Sequence, residues 1–198
     1  MPLPPRDDAA SHPLMSGFDP KRTHFDISEW TDDDIRRMTA YYYGTITHID
    51  DSIGRIIESL RASGQADNTV VIITSDHGDF LGHRGLITKA PFILYEDTTR
   101  VPFIIADLRK EEASRTSDAF VNLLDIFPTV MNLTGVENDH RIHGNDLTPI
   151  LTGEANEVTD VAVSETEGSI AIRKGSWKLI QNRRGVSELY NLDEDPSE

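Results

Sequence analysis

Residues 69–74 read Thr-Val-Val-Ile-Ile-Thr, an unbroken run of β-branched side chains closed by polar residues on both sides. Such side chains are stiff at χ1 and pack well on a pleated surface. A run without alternation suits a strand covered on both faces, as in an α/β sheet. A second apolar run, residues 101–106, carries Pro102 near its start and reads as another strand. The two are expected to be neighbours or near-neighbours in one mainly parallel sheet, flanked by a helix that begins at Thr31. The first run stops at Ser75, Asp76, His77 and Gly78. In open α/β sheets, ligands sit beyond the carboxyl ends of strands, so Asp76 and His77 stand where chemistry is usually done. Asp offers hard oxygens to a cation, His offers an imidazole nitrogen, and Gly78 lets the chain turn without a Cβ clash. A loop punctuated by Gly82 and Gly85 leads to Lys89, a cation suited to an anionic substrate. Taken alone, Asp-His-Gly reads equally well as a polar turn.

The rest of the chain supplies scaffold. Residues 1 to about 27 are rich in Pro and polar residues and read as an extended loop, with His12 and His24 solvated. From Thr31, the residues Ile35, Met38, Tyr42, Ile46, Ile49, Ile53, Ile56 and Leu60 recur at three- and four-residue steps. That is an amphipathic helix, with a capping-box start at Thr31 and Asp34 and a close near Gly64. His48, Asp50 and Asp51 could pass for a metal cluster, but read better as a polar helix face with ion pairs to Arg55. Residues 110–118 are charged and read as a loop or the start of a helix. A helix is expected from about Asp125, with Pro128 in its first turn and Gly135 as its C-terminal cap. His140 and His143 have a spacing seen in some metal sites but no third ligand nearby, so a surface loop is expected. Beyond residue 160 the pattern changes to short β-type runs, with Lys174, Gly175 and Ser176 as a hairpin turn.

The 198 residues suffice for a sizeable core, and the formal net charge of −15 argues against nucleic acid or an anionic membrane surface as a partner. An anionic substrate remains compatible, because a bound cation inverts the local field. The chain has no cysteine, so it holds neither disulfide nor thiolate metal site. The compartment stays open. No run approaches the ~20 apolar residues of a membrane span, and the N-terminus lacks the apolar core of a signal peptide.

The stretch around the first strand resembles the type I sulfatases of the alkaline-phosphatase superfamily. The likeness rests on Ser75-Asp76-His77-Gly78, Leu81-Gly82, Gly85-Leu86, Lys89, Tyr95-Glu96 and Arg100-Val101-Pro102. It extends to Tyr41-Tyr42 and the segment His48 to Arg55, to Asp125 with Pro128-Thr129, and to the ending Leu189-Tyr190-Asn191-Leu192 with Asp195-Pro196. Two departures stand out. The family often has His before its Gly-Leu pair, where this chain has Arg84, with His83 one place earlier. The segment from Lys89 to Tyr95 is also about one residue longer, with Ala90 where Gly is common.

The resemblance implies the C-terminal part of a sulfatase: an alkaline-phosphatase-like α/β sandwich with a small antiparallel subdomain. Residues 1–155 are expected to belong to the catalytic domain and 156–198 to the subdomain. It also implies hydrolysis of sulfate esters on Ca²⁺, with Asp76 and His77 as metal ligands and Lys89 on the sulfate oxygens. His77 is either a calcium ligand or a contact to a substrate oxygen. The family's nucleophile is a formylglycine made from Cys or Ser in Cys/Ser-x-Pro-x-Arg, expected in a preceding part. Ser11-His12-Pro13-Leu14-Met15 lacks that Arg. The family's first-strand Asp pair is absent as well. Self-association, or pairing with the missing part, is expected. A phosphonate or phosphate ester hydrolase of the same superfamily and a non-catalytic fragment are the alternatives.

Overall fold

Thr31 caps helix α1, Asp32–Ala62, as its sequence implies. The Thr31 hydroxyl accepts from the Asp34 N–H, and the Asp34 carboxylate accepts from the Thr31 N–H at 2.9 Å. Bonds from the Thr31 hydroxyl and then the Thr31 N–H hold the Asp34 carboxyl below the ordinary carboxylate range. The computed structural model describes residues 3–4, 13–15, 27–89, 93–110, 115–137 and 139–198. Most of residues 1–26, including Ser11, His12 and His24, lies outside the described residues; Pro13–Met15 form one tight turn. Two compact units divide the chain, Met1–Ala113 and Ser114–Glu198.

In the first unit, α1 buries Ile35 and Thr39 near its start. Further along, Ile46, Ile49 and Ile56 are exposed, so most of the apolar stripe does not flank a sheet as expected. Strands β1 (Val70–Thr74) and β2 (Phe103–Asp107) are neighbours, as expected. Their direction is not: they pair antiparallel, with Val70 opposite Asp107 and Thr74 opposite Phe103. A parallel pair needs a connection that travels back along the strand before re-entering. Here residues 75–102, including the short helix α2 (Glu96–Thr99), leave and return at the same end. Both faces are only partly covered. Residues 70–73 are half-buried and Ile104 is exposed.

The unit's core lies instead under the connection. Phe80, Leu86, Ile93, Leu94 and Tyr95 are buried there. Phe80 meets Tyr95 edge to face, with ring centres 6.4 Å apart. The buried Arg84 guanidinium lies 4.2 Å from the centre of the Tyr95 ring. The position where the family often has His is thus filled by a cation that packs as part of the core.

In the second unit, α3 (Ile126–Thr134) has Pro128 in its first turn and closes on Gly135 at φ 68°, as expected. Asp125 precedes it, fully buried, and its carboxylate accepts from the N–H groups of Asn122 and Asn145, each at 2.7 Å. Thr129 accepts from the Leu147 N–H at 2.9 Å just before α4 (Thr148–Thr152). The chain then forms an antiparallel meander, β3 (Ala162–Glu165), β4 (Ser169–Lys174), β5 (Trp177–Asn182) and β6 (Ser187–Asn191), in that spatial order. Gly175, at φ 56°, and Ser176 make the expected tight turn. One face buries Ala171, Ile180, Lys178 and Glu188. The other carries Val163, Ile172, Leu179 and Leu189 opposite one another across all four strands, and these are exposed.

Candidate active site at the end of β1

Strand β1 delivers Asp76 and His77 to a turn whose hydrogen bonds are local. Asp76 Oδ1 accepts from the His77 N–H at 3.0 Å, and the Ser75 hydroxyl donates to the His77 carbonyl at 2.8 Å. His77 Nδ1 lies 2.9 Å from the Gly78 carbonyl oxygen. A carbonyl can only accept, so in the neutral ring Nδ1 carries the proton and Nε2 keeps its lone pair. That lone pair lies 3.5 Å from Asp76 Oδ2, on a side chain that is 83% exposed. Two ligand atoms of one calcium ion at about 90° would stand about 3.4 Å apart, from bond lengths of about 2.4 Å. That separation is compatible with two neighbouring positions of one cation's shell, Asp76 supplying the oxygen that calcium prefers and His77 a softer nitrogen. The two do not fill that shell, since calcium takes about six to eight ligands and the described residues hold no group of three or more metal-ligating side chains.

Lys89 reaches the same end of the sheet by a closed loop. Asp79 Oδ1 accepts from the N–H groups of Leu81 at 2.9 Å and Thr88 at 3.0 Å. The Phe80 N–H donates to the Thr88 carbonyl at 3.1 Å, and the Gly82 N–H to the Leu86 carbonyl at 2.7 Å. Residues 79 and 88 are thereby held together, and Lys89 leaves the loop beside Asp79. Its side chain is exposed. Among the described residues no ion pair or hydrogen bond joins its ammonium to Asp76 or His77, which do touch each other.

Two polar anchors were not legible in the sequence. Asp79 closes the loop across nine residues, and Asp97 holds His83 across fourteen. Neither spacing corresponds to a helix or strand period, so neither leaves a local signal. The other histidines form no metal-ligating group of three or more among the described residues. His140 and His143 are exposed in a loop. His48, Asp50 and Asp51 line an exposed face of α1, where Arg55 donates to the Ser52 hydroxyl at 3.1 Å.

A family model described as sulfatase matches residues 9–136, and one described as N-sulphoglucosamine sulphohydrolase, C-terminal, matches residues 82–198. The chain is 31% identical to an arylsulfatase of Clostridium perfringens over 172 residues, which are 83% of this chain and 35% of that one. A phosphonate monoester hydrolase of Agrobacterium radiobacter superposes with a TM-score of 0.77 at 29% identity, over 87% of this chain and 38% of that one. A protein solved with its substrate, D-glucosamine-2-N,6-O-disulfate, superposes with a TM-score of 0.68 at 32% identity, over 77% of this chain and 33% of that one. The strand-end Asp-His-Gly turn and these likenesses place the fold among hydrolases of the alkaline-phosphatase superfamily. The chain belongs to the sulfatase family. It spans about a third of the length of the relatives it matches.

Proposed function

We propose that this chain supplies the metal- and sulfate-binding part of a sulfatase active site, with Asp76 and His77 as calcium ligands and Lys89 on the sulfate oxygens. The carrying observation is the proximity of two potential ligand atoms, Asp76 Oδ2 and His77 Nε2, 3.5 Å apart at the carboxyl end of β1. The Gly78 carbonyl fixes the ring so that Nε2 is the free nitrogen. Calcium, when bound, polarises a sulfate oxygen as a Lewis acid. The Lys89 ammonium answers the charge that grows on the remaining oxygens as the ester bond breaks. A sulfate ester as substrate is supported by the neighbour solved with a disulfated glucosamine. The formylglycine nucleophile of the family is assigned to a residue outside these 198, because the sequence has no cysteine and no Ser in the required context. Within this reading, residues 1–155 are part of the catalytic domain. Residues 156–198, where helices give way to the meander, form the C-terminal subdomain.

A phosphonate monoester hydrolase is the second reading, favoured by the 0.77 TM-score superposition. A calcium titration followed at the amide signals of Asp76, His77 and Gly78 tests the metal assignment. Those signals should shift in the wild-type chain and stay still in Asp76→Ala. No shift, or an equal shift in both proteins, would remove Asp76 from the metal site. Turnover of an aryl sulfate and of a phosphonate monoester, measured once the nucleophile-bearing part is joined, decides between the substrates.

A further inference from the structure

We infer that Asp79 is the positioning residue for Lys89: its carboxylate holds Thr88 in the left-handed region and so sets the direction in which the backbone enters Lys89. This rests on the reading of Lys89 as the sulfate contact. The observation behind it is backbone strain where a threonine should not be. Thr88 has φ 57°. For a β-branched side chain that conformation is an outlier, and outliers persist only where the surroundings over-determine them.

The surroundings here are consecutive residues. Asp79 Oδ1 accepts from the Thr88 N–H at 3.0 Å, and the Phe80 N–H donates to the Thr88 carbonyl at 3.1 Å. The same Oδ1 accepts from the N–H of Leu81, the other end of the loop, which is also left-handed at φ 49°. One carboxylate oxygen thus pins two strained residues.

Asp79 is in turn fixed to the strand end. The neighbouring Gly78 donates its N–H to the Thr98 carbonyl at 3.0 Å. A Cβ on Gly78 would lie 1.9 Å from the Asp97 carbonyl oxygen. The turn therefore cannot drift away from α2. The path from the Asp76–His77 pair to Lys89 runs along the chain to Asp79, then crosses to Thr88 by the carboxylate hydrogen bond.

The chemistry required of Asp79 is acceptance, not charge. An Asn in its place would accept both N–H groups through Oδ1, whereas an Ala could accept neither. The experiment uses the 198-residue chain as wild type, Asp79→Ala, Asp79→Asn and Thr88→Pro. Two readouts are followed: amide exchange at Thr88, and the residual dipolar coupling of the Lys89 N–H relative to those of His77 and α1.

In Asp79→Ala, Thr88 exchange should speed up about tenfold or more, the scale of one lost hydrogen bond. The Lys89 coupling should change while those of α1 stay put. Asp79→Asn should restore both readouts to within about twofold of wild type. Thr88→Pro removes the same N–H and forbids positive φ, and should reproduce the change at Lys89 even if the alanine variant does not fold. An unchanged Lys89 coupling in Thr88→Pro, or failure of the Asn variant to restore it, would overturn the assignment. These readouts need neither calcium nor turnover, so they stand apart from the test of the sulfatase reading.

Discussion

The carboxylate of Asp97 grips the imidazole of His83, with Nδ1 at 2.8 Å from Oδ1 and 2.9 Å from Oδ2. The pair is largely buried, and it fastens the loop of residues 79–88 to helix α2. Asp97→Ala would leave the Nδ1 proton without its acceptor in a mostly dry place. Such a loss is expected to destabilise the first unit by about 1–3 kcal/mol. Asp97→Asn keeps one acceptor and should lose roughly half as much. Urea unfolding of the three proteins checks the order. Equal stability of wild type and Asp97→Ala would show the contact to be incidental.

The same residue sets a limit on Gly78. Its backbone oxygen lies 1.9 Å from where a Gly78 side chain would begin. The obstructing atom is main chain, so it cannot rotate away. Gly78→Ala must push α2 off the strand-end turn, with an expected loss of about 2 kcal/mol or more, at the upper part of the range for overpacked sites. Gly44, where an added methyl would meet nothing within 4 Å, is the control. Gly44→Ala should be neutral or stabilising by up to about 1 kcal/mol, since it sits inside α1. Thermal unfolding of both variants is the measurement.

Much of this fold could be read in advance because its signals are local. The Thr31–Asp34 capping box, the Pro128 to Gly135 helix and the turn at Gly175 each need only a few adjacent residues. Strand direction was not readable. The run at residues 69–74 says that a strand can be covered, but not which way its partner runs. Antiparallel pairing follows from residues 75–102 returning to the end they left, and that return is held by Gly78, Asp97 and Thr98 across some twenty residues. The site divides the same way. Asp76 and His77 are sequence neighbours and were visible as a pair. The geometry around Lys89 was not, because it depends on a left-handed Thr88, a conformation that β-branched residues normally avoid.

Acid should weaken the second unit through Asp146. Burial pushes this carboxyl up, but the Thr148 hydroxyl and N–H and the Asn132 amide outweigh it and hold the group below 3.8. A group whose folded value is depressed binds its proton more readily when unfolded. Its contribution is therefore complete above the ordinary value of 3.8 and is lost as pH falls through the lower folded value. Asp146→Asn should flatten the acid limb of the unfolding midpoint below about pH 4 and leave the midpoint's slope near neutrality unchanged. Parallel acid limbs for the two proteins would exclude Asp146 as a source of the pH dependence.

The meander's two faces make opposite predictions for the same chemical change. Strand side chains alternate, so Leu179 and Ile180 point to opposite sides of β5. Ile180 is fully buried, whereas Leu179 is exposed within the apolar row of Val163, Ile172 and Leu189. Ile180→Lys places an unpaired ammonium in the core and should unfold the second unit. Leu179→Lys, at a side chain 40% exposed, loses only its cross-strand contacts with Ile172 and Leu189 and should cost no more than about 1 kcal/mol. Its effect belongs to association, because an exposed apolar row across four strands is a surface that seeks cover. The chain should therefore self-associate as concentration rises, and Leu179→Lys should move that transition to higher concentration. Trp177 lies on the same face and is 52% exposed, so its fluorescence emission should shift to the blue as copies meet. Sedimentation velocity and emission should change together in wild type and separate from the unfolding midpoint. A chain that stays monomeric at high concentration, with unshifted Trp177 emission, would show that this face does not drive association.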